Sequence, residues 1–283
     1  VTETKRRVRS YSQLSSYHQC PFAFYLKRIR RLPEPPSVWT AGGLAVHTTT
    51  EQYDLLTWQE NDLSAFASDA EWRATFRNNF ADELDKLREN DPDESNWRTA
   101  GKPTKARPNG EDATWWLEAG QDMISRYIAW RISTNDILRI AAVKGAAGIE
   151  VEVRTLLGGV EVVGFIDRVF VDLRTLVYLV GDYKSGKRKV TDPGQVGQYS
   201  VQLEQQYDLP VTWGAYYSAR EGQMGTPLSL TRFTEHQLGE AYQQLEANIA
   251  AGHFPPNQTA LCKSCGLRKF CPYEGGVLPE ETE

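Results

Sequence analysis

Residues 164–184 read Gly164-Phe165-Ile166-Asp167-Arg168-Val169-Phe170-Val171-Asp172-Leu173-Arg174-Thr175-Leu176-Val177-Tyr178-Leu179-Val180-Gly181-Asp182-Tyr183-Lys184. Two apolar, β-branched runs, 160–171 and 176–183, flank the polar Asp172-Leu173-Arg174-Thr175 connection, which predicts a β-hairpin. The charges fall where a strand tolerates them poorly. Asp167 interrupts the first run, and Asp182 and Lys184 end the second. Alternation puts Asp182 and Lys184 on one face, and Asp167 on the paired strand can reach the same place. Two carboxylates and a lysine converging at the end of an apolar hairpin are unfavourable unless a cation lies between them. An exposed ion pair would explain Asp182 and Lys184 taken alone. The Gly164-x-x-Asp167-Arg168 pattern one strand upstream weighs against that plainer account.

With 283 residues and 40% hydrophobic content, the chain can bury a substantial core. It is expected to form a single domain, 1–283, whose parts are a mainly helical 1–147, a sheet core 148–233, and a C-terminal helix and tail 234–283. No apolar run approaches a membrane span, and the basic Lys5-Arg6-Arg7-Val8-Arg9 follows no signal peptide, so no membrane partner and a cytoplasmic location in a bacterial or phage-infected host cell are expected. The formal charge of -5 does not advertise nucleic acid, but binding depends on local fields. Basic clusters occur at Lys5 to Arg9, Lys27 to Arg31, Lys102/Lys105/Arg107, and Lys184/Lys187/Arg188/Lys189. The last begins among the hairpin charges, and Lys187 and Arg188 are its expected phosphate contacts. No G-x-x-x-x-G-K-[ST] occurs, which excludes a P-loop motor.

Helices are expected over 10–31 (with Pro21 as a break or kink), 40–58, 68–90, 111–132, 192–208 and 234–251. The clearest is 68–90, where Ser68 and Glu71 form a capping box and Trp72, Phe76, Phe80, Leu84 and Leu87 form a core stripe. Trp115, Trp116, Tyr127 and Trp130 either stack bases or pack in the core, and packing is the expectation. Strands are expected over 149–157, 160–171, 176–183, 211–219 and 228–233, with a polar loop over 91–110. Glu150 and Glu152 either add a carboxylate near the hairpin charges or simply face solvent. Strands bracketing a helix, with helices at both ends, give a mixed α/β (α+β) sheet with helical flanks. The four cysteines are Cys20, Cys262, Cys265 and Cys271, the last three spaced C-x2-C-x5-C with Pro272 behind. Such spacing suggests metal rather than disulfides, and leaves zinc and iron–sulfur both open.

Gly164-x-x-Asp167-Arg168, Asp182-Tyr183-Lys184 and Gln195-x-x-x-Tyr199 together resemble the RecB-like branch of the PD-(D/E)xK nucleases. Gly43-x-x-x-His47-x-x-x-Glu51 and the four cysteines resemble its 4Fe–4S members, such as the AddB nuclease domain and the CRISPR-adaptation exonucleases. The resemblance covers Tyr11 to Tyr273. It implies a restriction-endonuclease-like core, with an iron–sulfur clasp on Cys20, Cys262, Cys265 and Cys271 joining the two ends of the chain. It also implies that Asp167, Asp182, His47 and the backbone carbonyl of Tyr183 bind Mg²⁺ or Mn²⁺, while Lys184 acts in catalysis. Glu51 either steers His47 or faces the groove. Gln195 and Tyr199 hold DNA, and Arg168 holds a phosphate or braces a carboxylate. The function so implied is a metal-dependent DNA exonuclease on single-stranded ends, in recombination, repair or phage DNA metabolism, with a helicase or recombination partner. A CRISPR-adaptation nuclease trimming DNA before integration and a non-catalytic iron–sulfur DNA-binding module are the alternatives.

Overall fold

The computed structural model describes residues 8–60 and 68–280; Lys5, Arg6 and Arg7 of the first basic cluster lie outside the described residues. Helices α1 (Tyr11–Gln19), α2 (Pro21–Phe24), α3 (Val38–Glu60), α4 (Asp69–Asn90) and α5 (Ala113–Thr134) come first. Strands β1 (Leu138–Ile140), β2 (Ala142–Val143), β3 (Ala146–Ala147), β4 (Ile149–Leu157), β5 (Val160–Asp172) and β6 (Val177–Lys184) follow. Then come α6 (Gly194–Tyr207), β7 (Trp213–Ser218), β8 (Gln223–Met224), β9 (Leu228–Ser229) and α7 (Glu235–Ala250). The described residues form two compact units, one of 36–153 with 165–233, the other of 8–35 with 154–164 and 234–280.

The larger unit is built on the predicted hairpin. β5 and β6 pair antiparallel, with Arg168 opposite Gly181 and Asp172 opposite Val177. β6 then pairs parallel with β7, Asp182 opposite Tyr216, so α6 is the crossover between them. β1 lies on the far side of β5, and β8 and β9 pair with β7, completing a mostly antiparallel mixed sheet. One sheet face packs on α3, α4 and α5 through Phe170, Tyr183 and Tyr217. The other packs on α6, where Val196, Tyr199 and Leu203 meet Val153, Ile166, Val169 and Val180. The sheet is therefore covered on both faces, which explains the near-continuous apolar runs.

The α4 stripe is core as predicted, with Trp72, Phe76 and Phe80 buried. The Ser68 amide donates to Glu71 Oε2 at 2.6 Å, the return bond of the capping box. Trp116, Tyr127 and Trp130 are buried, so packing accounts for the α5 aromatics. Two glycines set how closely these helices approach. A Cβ on Gly42 would stand 2.1 Å from the Trp116 ring, and one on Gly120 2.0 Å from Phe76. Either addition forces helices apart in a close-packed core.

The smaller unit shows the main departure from the predicted helix over 10–31. Cys20 is extended (φ -161°, ψ 102°) and separates α1 from α2, which begins at Pro21 and runs into a π-helical turn, Tyr25–Ile29. Proline lacks an amide hydrogen and pushes the preceding residue out of the helical region. Segments far apart in sequence meet in this unit. Arg9 Nη2 donates to Glu246 Oε2 at 3.0 Å, the Tyr17 hydroxyl donates to the His253 carbonyl at 2.6 Å, and Phe22 packs edge-on against Tyr273.

Candidate active site

Every predicted member of the hairpin site lies in the larger unit, where the β5–β6 ladder opens. Beyond the Arg168–Gly181 pair the strands exchange a side chain for a backbone bond. The Tyr183 amide donates to Asp167 Oδ2 at 2.5 Å. The Tyr183 carbonyl faces α3, where His47 Nε2 lies 3.0 Å from it. His47 Nδ1 stands 3.7 Å from Asp167 Oδ1. Asp182 and Lys184 share a face, as alternation requires, with Nζ 2.5 Å from Asp182 Oδ2. Lys184 Nζ also donates to Gln195 Oε1 at 3.1 Å, and Gln195 Nε2 donates to the Tyr199 hydroxyl at 3.0 Å. Asp167, Asp182, Lys184, His47, Gln195 and Tyr199 thus come together. Lys187 and Arg188 lie exposed on the loop just after Lys184.

Three features sharpen the sequence expectations. Glu150, one of two glutamates left open, joins the site. Its carboxylate, a His47 ring nitrogen and an Asp167 oxygen lie within 4.8 Å of one another. Glu150 also holds a left-handed backbone (φ 46°), a conformation that a non-glycine side chain disfavours and that concentrates at functional sites. Glu51 is half-buried, and its charge helps to raise Glu150. Arg168, expected to hold a phosphate or brace a carboxylate, is only 1% exposed. Its Nε donates to Asp54 Oδ2 at 2.5 Å and its Nη1 to Glu150 Oε1 at 3.4 Å. Burial puts its guanidinium out of reach of a DNA backbone; Arg168 is a brace, and its assignment to DNA binding is corrected.

Asp54 was missed. It is fully buried and accepts from Arg168, from Arg131 Nε at 3.1 Å, and from the Tyr127 hydroxyl. Tyr127 in turn hydrogen-bonds the Tyr183 hydroxyl at 2.8 Å, so the network carries the residue whose backbone faces both Asp167 and His47. The available signal was spacing. Asp54 lies seven residues after His47 and three after Glu51, on the same helical face.

The carboxylates crowd one another. Burial, then the charge of Asp167, pushes Asp182 up to about 6; the same two causes push Glu150 up to about 7. Asp182 Oδ2 is buried and lacks a well-aligned hydrogen bond despite the nearby Lys184. The acidic oxygens of Glu150 and Asp167 beside the His47 imidazole fit a hard divalent cation, with the imidazole favouring Mn²⁺. Protons compete with such a cation for carboxylates raised in this way. Apparent Mn²⁺ affinity is therefore expected to climb as the pH rises through about 6 to 7. Raised folded-state values also mean that the metal-free protein holds protons that the unfolded chain has released, and it loses stability as the pH rises through that window. The melting-temperature gain of Mn²⁺ over EDTA should then be larger at pH 8 than at pH 5.5. A gain independent of pH would remove these carboxylates from the metal site.

The smaller unit holds all four cysteines, and none is in a disulfide. Backbone amides of Ala23 and Asn257 donate to Cys20 Sγ at 3.4 and 3.5 Å, and that of Thr259 to Cys262 Sγ at 3.4 Å. Burial raises the Cys265 thiol, with smaller contributions from Cys20 and Cys262; burial also raises Cys271, with smaller contributions from Cys20 and Cys265. Among the described residues, no three of these sulfurs lie within 4.8 Å of one another.

Residues 9–272 match a family model described as the PD-(D/E)XK nuclease superfamily. The chain is 27% identical to the Gene 69 protein of Mycobacterium phage D29, an alignment covering 96% of this chain and 99% of that protein. It is 28% identical to the Gene 69 protein of Mycobacterium phage L5, covering 96% and 98%.

Proposed function

The chain belongs to the PD-(D/E)XK nuclease superfamily, and from that premise we propose a divalent-metal-dependent DNA exonuclease that acts on single-stranded ends. Its mixed sheet with helices on both faces agrees with the core of that superfamily, whose members use divalent metal ions. The observation that carries the proposal is the meeting of Asp167, Asp182, Lys184 and His47 around the Tyr183 backbone. A non-catalytic module would have no use for that intact set.

Asp167, Asp182, His47 and the Tyr183 carbonyl would hold the ion, with Glu150 placed to join them. When bound, Mg²⁺ or Mn²⁺ supplies Lewis-acid polarisation of the phosphate and a lowered pKa for water. Lys184 is held between Asp182 and Gln195, aimed to donate to phosphate oxygens as negative charge builds. Gln195 and Tyr199 line the strand's path, and burial keeps the Tyr199 hydroxyl protonated. Lys187 and Arg188 add phosphate contacts. The helices preceding residue 148 favour a threaded end over a duplex bound sideways. Linear single-stranded DNA should be degraded while closed circles of the same sequence persist; equal loss of both would show that no free end is needed.

The two phage relatives support a setting in phage DNA metabolism, inside a bacterial host cell. A helicase or recombination protein that exposes single strands is the partner such an activity uses. Among the described residues, no helix is long and apolar enough to cross a membrane.

The reading of a 4Fe–4S cluster on Cys20, Cys262, Cys265 and Cys271 rests on the C-x2-C-x5-C spacing ahead of Pro272 and on the place of all four in the smaller unit. Amides directed at Cys20 and Cys262 would stabilise thiolates. Cys20 and the three later cysteines would hold such a cluster and so tie the segment around α1 and α2 to the tail. Cys20→Ser should reduce iron from about four per chain and remove the brown absorbance of anaerobically purified protein. A colourless wild type with full zinc would replace the cluster by a zinc site.

A further inference from the structure

We propose that the loop following β6 forms a second anion site, one that takes a phosphate monoester. The proposal deepens the nuclease reading and rests on it for the source of the ligand. The loop leaves the carboxyl end of β6, beside the parallel strand β7, and enters α6. Crevices outside the carboxyl ends of parallel strands are where open α/β sheets receive ligands. A cavity of about 180 Å³ lies there, lined by Lys184, Lys187, Arg188, Lys189, Tyr216 and Arg220.

The loop is fastened at both ends. Arg220 Nε donates to the Ser185 carbonyl at 2.8 Å, and the Tyr216 hydroxyl donates to the Asp192 carbonyl at 2.7 Å. Two of the cations already have partners. Arg220 makes paired bonds to Glu111 at 3.0 and 2.8 Å and lies 4.6 Å over Trp115, while Lys184 serves Asp182 and Gln195. Lys187, Arg188 and Lys189 differ. They are exposed, and among the described residues none makes an ion pair or a hydrogen bond. Glu221 is the acidic residue on the wall. Three adjacent cations on a fastened loop, facing one acidic residue on the wall, leave a local excess of positive charge that attracts an anion in a chain of net charge -5.

The charge selects the anion. A phosphate within a strand carries one negative charge, whereas a monoester carries about -1.5 to -2 at pH 7. The cavity is smaller than the roughly 300–1,000 Å³ of pockets that enclose a drug-sized ligand, so it suits one phosphate with its sugar rather than a run of nucleotides. Two sources share this chemistry. A strand's terminal phosphate would fix the end relative to Lys184; the phosphate of a released mononucleotide would make the site one of product retention.

Binding in EDTA separates the possibilities without cleavage. Fluorescence anisotropy would compare oligonucleotides ending in 5′-phosphate, 3′-phosphate or hydroxyl, with a mononucleotide titrated alone, on wild type and on Lys187→Ala/Arg188→Ala/Lys189→Ala. A phosphorylated end is expected to bind about tenfold tighter than a hydroxyl end, and the triple variant, in an exposed loop, should lose that preference. Loop-dependent mononucleotide binding without end preference would assign the site to product. Wild type that neither prefers a phosphorylated end nor binds the mononucleotide overturns the proposal, as does a triple variant that keeps the preference. Failure to cut DNA, with the preference intact, would sink the nuclease reading and leave this site standing.

Discussion

Asp54→Ala is expected to destabilise the protein by about 3–5 kcal/mol, the cost of stripping the partner from a buried charge. The substitution leaves Arg168 and Arg131, both almost fully buried, with no carboxylate between them. It also frees the Tyr127 hydroxyl, and with it the contact to Tyr183. Urea denaturation should show the midpoint falling with little change in slope. Asp54→Ala/Arg168→Met/Arg131→Met should recover part of the loss, because removing both signs together spares the unpaired charge. An Asp54→Ala midpoint equal to wild type would mean that the network contributes nothing to stability.

Lys184→Ala should lower the rate of DNA hydrolysis by about 10²–10³, the usual effect of removing one preorganised group from a developing anion. The fold should survive, since the Lys184 side chain is 31% exposed and belongs to neither core. The variant carries a second signature. Lys184 holds Asp182 below the value that burial and Asp167 would otherwise impose. Its removal raises Asp182 further, so a higher pH is needed to ionise it, and the acid limb of the residual activity and of Mn²⁺ affinity should move up. A reduced rate with an unmoved acid limb would leave Lys184 in contact with substrate but not with Asp182. An unchanged rate would remove it from the mechanism.

The hairpin was legible because its chemistry is local. Turn composition and alternation set the Asp182–Lys184 face, and a four-residue helical spacing set Gln195 beside Tyr199. What escaped depended on distance in sequence. Glu150 resembles Glu152 until the fold turns one of them, in a left-handed conformation, toward His47 and Asp167. Asp54 shares a helical face with His47 and Glu51, but its partners become visible only when α5 and β5 bring Arg131 and Arg168 onto it. Arg168 could not be assigned from its own position, since its role follows from burial. The short strands β1, β2, β3 and β8 carry too few residues to show a period; pairing alone makes them strands. The break at Cys20 was the opposite case, because Pro21 dictates it locally.

The most direct test is degradation of end-labelled single-stranded DNA by anaerobically purified protein, with Mg²⁺ or Mn²⁺ against EDTA, beside Asp182→Asn. Metal-dependent release of label by wild type, lost in a folded Asp182→Asn, is the predicted result. DNA left intact with either ion, or equal cutting by the variant, would contradict the assignment of Asp167, Asp182, Lys184 and His47 as the active site.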